Sequence, residues 1–182
     1  MVEDRIGLRY ASAIFELAEE RQILTPVFED MSLVQSVIEE NLGLRQLLAS
    51  PLINAAKKQV VLEQIFAGKT KSDLVPMLLR LLLQKGRERF LPQVATAFLQ
   101  CYDEAQGIVR GVLTAASALD TATLEDIRTS MEQKLGKRLV LDTQVDATLI
   151  GGFVLRIGDQ LFDGSVLASL RRIRHRFAQP HG

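Results

Sequence analysis

Over the first hundred or so residues apolar side chains return at spacings of three and four, and the two-residue alternation of a half-buried strand is almost absent. Breakers interrupt that rhythm often enough to predict six helices. The first runs from about Asp4 to Gln22. The second opens at Thr25-Pro26, where Thr suits a cap and Pro the first helical position, and carries Val27, Met31, Val34 and Ile38 on one stripe. A short third covers about Leu42 to Ala49 before Ser50-Pro51. The fourth runs from Asn54 to Phe66, the fifth from about Asp73 to Lys85, and the sixth from Glu88 to Gln106. The sixth places Leu91, Val94, Phe98, Cys101, Tyr102 and Ala105 on one face, which assigns Cys101 to the core rather than to reactive chemistry.

At Gly107 the pattern changes. Ile108 to Thr114 reads as a strand, and a helix follows from a cap at Asp120 to Leu135. Leu139, Leu141, Thr143 and Val145 then alternate with Val140, Asp142, Gln144 and Asp146, the period of a strand with one face buried. Phe153 to Ile157 forms another strand, Gly158-Asp159-Gln160 separates it from the short apolar piece Leu161-Phe162, and a last helix runs from Ser165 to about Phe177. The expected fold is therefore mainly α, a six-helix amino-terminal bundle over 1–106 followed by a small α/β carboxyl-terminal domain over 107–182.

The 182 residues are 47% apolar and 24% charged, which excludes disorder as the dominant state. A single cysteine rules out an internal disulfide framework, and the acidic start Met1-Val2-Glu3-Asp4 lacks the features of a signal or transit peptide, so an intracellular bacterial protein is expected. Leu74 to Leu83 is half the length needed to cross a bilayer and contains Pro76 and Arg80. The zero net charge hides an asymmetry: residues 1–40 hold three basic against nine acidic side chains, whereas 164–182 hold four arginines and no acid. Opposite ends of the chain are thereby suited to different partners.

Catalytic chemistry finds few residues to use. Ala67-Gly68-Lys69-Thr70 lacks the earlier glycine of a phosphate loop, since that position is Glu63, and it follows a helix rather than a strand. His175 and His181 have no carboxylate or cysteine at ligand spacing. Adjacent carboxylates such as Glu19-Glu20 and Asp103-Glu104 point about 100° apart on a helix and form no acid/base pair by themselves. The basic run Arg171, Arg172, Arg174, Arg176 lacks an aromatic stacking platform and suits the end of a helix. No catalytic residue, metal, cofactor or nucleic-acid partner is expected.

A surplus of apolar surface is more informative. In the first helix Ile6, Tyr10, Ala13, Ile14 and Leu17 occupy one side, while Leu8, Ala11, Phe15 and Ala18 widen the apolar arc well beyond what a surface helix of a bundle needs. The fifth helix leaves only Arg80 and Gln84 as a polar strip. Either that helix is the buried centre of the bundle, or the two helices border a groove that receives an amphipathic helix from another chain. The acidic first helices would then steer a basic partner, so that replacing Glu16, Glu19 and Glu20 with Gln slows association at low salt.

Three segments resemble the delta subunit of F-type ATP synthases, the counterpart of the mitochondrial oligomycin sensitivity-conferring protein. They are Arg9-Tyr10-Ala11-Ser12-Ala13-Ile14-Phe15-Glu16-Leu17-Ala18; Gln84-Lys85-Gly86-Arg87 with Leu91-Pro92; and Gly151-Gly152-Phe153 to Asp159 through Asp163-Gly164-Ser165-Val166 to Leu170. The Gly-Gly to Asp-Gly-Ser segment is the most specific. The resemblance implies a non-catalytic stator subunit, peripheral on the cytoplasmic face of the bacterial inner membrane and held there only through its complex. By the same resemblance the helical bundle grips amino-terminal helices of alpha subunits of the catalytic head, and the carboxyl domain holds the b-subunit stalk. Carried onto this chain, the alpha-helix groove falls on Tyr10, Ala13, Ile14 and Leu17 with Leu78, Leu81 and Leu82. Gly151, Gly152, Asp163, Gly164 and Ser165 are expected to act structurally, as turn residues and a cap. A generic helical scaffold or adaptor unrelated to the synthase is the alternative reading.

Overall fold

A computed structural model describes residues 2–165. The chain divides into two compact units, Met1–Ala105 and a second that opens at Gln106. The first contains α1 (Val2–Glu20), α2 (Leu24–Glu40), α3 (Leu42–Ala49), α4 (Ala55–Phe66), α5 (Leu74–Gln84), a 3-10 turn (Glu88–Phe90) and α6 (Leu91–Ala105). The second contains β1 (Ile108–Ala115), α7 (Thr121–Leu135), β2 (Arg138–Val145), β3 (Phe153–Ile157) and β4 (Gln160–Asp163). The fold is thus mainly α with a small α/β part. The carboxyl-terminal helix expected from Ser165, the two histidines and the arginine run lie outside the described residues.

Local chemistry explains the starts of three helices. Asn41 caps α3 by accepting from the Leu44 amide, Asn54 caps α4 through the Lys57 amide, and Asp120 caps α7 through Thr123 at 2.7 Å. The second helix starts earlier than the Thr25-Pro26 signal predicts: α2 begins at Leu24, Ile23 stands at the cap without a side-chain bond, and Pro26 sits inside the first turn. Proline is tolerated there because amides of the first turn have no intrahelical acceptor. The sixth helix is also shorter than its pattern, since Glu88–Phe90 winds as a 3-10 turn.

The amino-terminal core is one cluster. α1 lies against α6 through Ala11, Phe15 and Ala18, with the Phe15 and Phe98 rings 6.0 Å apart. Gly7 makes that approach possible, because a Cβ there would stand 2.9 Å from the Gln93 Cβ. α2 contributes the expected stripe of Val27, Met31, Val34 and Ile38, all buried, and Phe28 stacks on Tyr102 at 4.1 Å. Among the described residues of this unit two charged side chains are buried. Asp30 accepts from the Lys71 and Ser72 amides and the Ser72 hydroxyl, anchoring the loop that leads into α5. Lys58 donates to the Leu48 carbonyl at 3.1 Å and to Glu88 at 2.6 Å, tying α4 to the end of α3 and to the 3-10 turn.

In the second unit the strand order is β2-β1-β3-β4. β1 and β2 are parallel and connected through α7, and the other neighbours are antiparallel. The core is Leu113, Met131, Leu139, Leu155 and Ile157. The alternation expected of β2 holds only at its start: Leu139 is buried and Leu141 half-buried, but Thr143 and Val145 are exposed. β2 is an edge strand, and α7 buries only Met131 of its own residues, so cover runs out along the strand.

Candidate functional site

α1 and α5 lie side by side and run antiparallel, as two polar contacts show. Arg21, just beyond α1, meets Asp73 at the start of α5 at 3.2 Å. Arg87, just beyond α5, donates to the Tyr10 hydroxyl at 3.1 Å with its guanidinium 5.9 Å from the ring centroid. Winding α1 at about 100° per residue puts Leu17 between Tyr10 and Arg21 on the flank facing α5, with Ala13 beside it toward solvent. On α5 the same winding puts Met77 and Leu81 on the flank toward α1, away from Arg80, which reaches toward Glu63 of α4 at 3.9 Å.

The seven expected groove residues separate into a floor and a rim. Ile14, Leu78 and Leu82 are 5%, 0% and 1% exposed and belong to the bundle core, so these three are sealed by their own neighbours. This corrects their assignment to the open wall of a groove. On a helix that is apolar almost all round, periodicity carries no polar marker of which leucines face outward. Tyr10 and Leu17 are half-buried, whereas Ala13 and Leu81 are exposed. Met77, absent from the expected set, is 41% exposed, more than Leu81 at 36%. The result is an apolar seam along two helices, bracketed by the two polar contacts and floored by buried core residues.

Other candidates resolve differently. Cys101 is half-buried rather than in the core. Burial and then the Glu104 carboxylate push its thiol up, and it bonds with the Ser12 side chain, so thiolate chemistry is disfavoured. Ala67, Gly68 and Thr70 follow α4 and line an apolar cavity of about 260 Å³ floored by Leu62, Phe66, Leu79 and Leu83, which offers a phosphate no cradle. Among the described residues no three His, Cys, Asp or Glu side chains stand together as metal ligands, and no helix is long and apolar enough to cross a membrane.

The glycine-rich segments of the second unit meet in space. Gly151 and Gly152 have φ of 71° and 79°, and a Cβ on Gly152 would lie 2.5 Å from the Gly164 carbonyl oxygen and 2.8 Å from the Ser165 Cα. The Gly164 amide donates to the Phe153 carbonyl, and the Ser165 amide to Asp163, at 3.0 and 2.9 Å. Two stretches ten residues apart thus close on each other backbone to backbone, at a distance only glycine permits.

The described residues thus form a helical bundle with an apolar seam on its surface and a small α/β unit. Comparison with known proteins gives the chain a family. The sequence model of the family described as the ATP synthase delta (OSCP) subunit matches residues 6–177, and the chain belongs to that family. It is 39% identical over 176 residues to ATP synthase subunit delta of Symbiobacterium thermophilum, covering 97% of this chain and 94% of that protein. It is 34% identical over 174 residues to ATP synthase subunit delta of Geobacter metallireducens, covering 96% and 97%. A chain in a cryo-EM structure of the Toxoplasma gondii mitochondrial ATP synthase hexamer shares the fold, with a TM-score of 0.72 at 24% identity over 96% of this chain and 98% of that one.

Proposed function

We propose that this protein is the peripheral-stalk subunit of an F-type ATP synthase, linking the catalytic head to the b subunits and resisting rotor torque while ATP is made elsewhere in the complex. Its role is mechanical and it performs no catalysis. The helical unit binds the amino-terminal helix of an alpha subunit, the carboxyl-terminal unit binds the b-subunit stalk, and the protein sits peripherally on the cytoplasmic side of the bacterial inner membrane. The observation that carries this reading is the seam: exposed Ala13 and half-buried Leu17 on α1, with exposed Met77 and Leu81 on the neighbouring α5, lie along two antiparallel helices joined by two polar contacts.

Torque resistance requires slow dissociation. Nanomolar affinity corresponds to about −12 kcal/mol, and covering apolar side chains contributes roughly 1.5–3 kcal/mol each before ordering costs are deducted. Met77 and Leu81 are already more than half covered, so most of that gross driving force comes from the apolar face of the partner helix, and apolar burial is less sensitive to salt than exposed ion pairs.

The test is titration of the full-length chain with a peptide from the amino terminus of the alpha subunit, followed by amide chemical shifts. Shifts should concentrate on residues around Ala13, Leu17, Met77 and Leu81, and Leu81→Asp should abolish binding without unfolding the chain. Binding that leaves those amides unmoved, or survives Leu81→Asp, refutes the assignment.

A further inference from the structure

The seam is polarised. Along the solvent edge of α1, Arg9 is followed at helical spacing by Glu16 and Glu20, all three exposed, so the sign of charge reverses along one edge. Along α5 it reverses as well, from Asp73 at the start to Lys85 and Arg87 beyond the end, again all exposed. Because the helices are antiparallel, the two reversals coincide: Arg9 lies at the end of the seam where Lys85 and Arg87 stand, and Glu20 at the end where Asp73 stands. Arg21 partly neutralises Asp73 at 3.2 Å, which leaves Glu16 and Glu20 as the main acidic groups there. From Arg9 to Glu20 is about 16 Å along the helix, three turns. At physiological salt the screening length is about 8 Å, so a docked helix meets the two ends as separate fields that do not cancel.

We propose that this charge gradient fixes the direction in which a helix lies in the seam. The occupant is an amphipathic helix of about three turns whose acidic side chains cluster at one end and basic ones at the other, with the acidic end over Arg9, Lys85 and Arg87. The inference rests on the docking reading above and adds to it a direction: the apolar stripe holds the helix, and the charged edges choose between its two orientations. Side-chain charge dominates over the weaker field of the partner's backbone, so the acidic end takes the basic site whether it is the amino or the carboxyl end of the partner.

Two synthetic helical peptides test this with the full-length chain. Both carry the same leucine stripe; one has glutamates at its amino end and lysines at its carboxyl end, the other the reverse, and each bears a nitroxide at its glutamate end. Paramagnetic broadening should fall on amides near Lys85 and Arg87 for both peptides. In the quadruple variant R9E/E16K/E20K/K85E, whose substitutions are all at exposed positions, it should move to the Glu20 and Asp73 end. The double variant R9E/K85E should bind about tenfold more weakly at low salt, with the difference disappearing at high salt. Broadening spread evenly over both ends, or following the peptide amino terminus in both peptides, overturns the proposal while leaving docking intact. Absence of broadening anywhere along α1 and α5 refutes the docking reading itself.

Discussion

The two units bury their residues on very different scales. In the helical unit the core draws on all six helices, and α5 alone buries Leu74, Val75, Leu78, Leu79, Leu82 and Leu83. In the α/β unit, as far as it is described, the core has five buried residues, α7 adds only Met131, and the far end of β2 lies open. The first unit leaves Met77 and Leu81 exposed beside the buried residues of α5. Among the described residues of the second, local geometry stands out: the Gly152 to Gly164 approach and the Asp120 cap.

That contrast is easiest to break at the buried ion pair. Lys58 is 2% exposed and reaches Glu88, whose second oxygen is buried without a hydrogen-bond partner. Glu88→Ala should destabilise the helical unit by about 3–5 kcal/mol in denaturant unfolding, because it strands a buried ammonium. The double variant K58M/E88L should recover most of that loss, since the desolvation cost of both charges goes with them. The counterpart in the α/β unit is Gly152→Ala, where left-handed backbone and a 2.5 Å approach combine. A loss of about 1–3 kcal/mol is expected, confined to probes in that unit.

Acid and alkali should separate the units more gently. Backbone and then side-chain hydrogen bonds from Thr123 hold the Asp120 carboxyl below its ordinary range, and the hydroxyl and then the amide of Thr148 do the same for Asp146. Folding favours both ionised carboxylates. Their contribution is therefore present above the unfolded value near about 3.9 and fades as pH falls through the lowered folded values. Asp120→Ala should remove part of this acid sensitivity and lower the melting temperature, while Asp120→Asn keeps the cap and loses only the pH dependence. In the helical unit the hydrogen bond to Glu29, and then its charge, raise the Lys71 ammonium above 10.5. That contribution is complete below about 10.5 and is lost as pH rises through the folded value. The melting temperature followed in the α/β unit should thus fall on acidification, and by less in Asp120→Asn. Lys71→Met should reduce the alkaline sensitivity of the helical unit alone, the smallest of these effects.

Most of the element order was legible in the pattern of apolar residues and breakers, and the Asp120 cap was legible because a cap needs no tertiary context, whereas Asn54 proves to be a cap rather than the first helical residue. What the pattern could not carry was long-range. Asp30 belongs to a helix by periodicity, yet it is buried because it caps a loop forty residues later. Lys58 reads as a solvated charge until Glu88 is placed beside it. In the seam, Tyr10, Ala13, Leu17 and Leu81 were legible as apolar surplus. The separation of Leu78 and Leu82 from Met77 and Leu81 was not, because a continuous run of apolar residues has no periodic contrast.

The packing of the first helix on the last helix of its unit sets a condition on synthesis. Phe15 emerges from the ribosome long before Phe98, its ring partner, has been added. At about 5–20 residues per second the opening helix waits several seconds with its wide apolar arc in water. The nascent chain therefore exposes apolar surface that the finished protein covers.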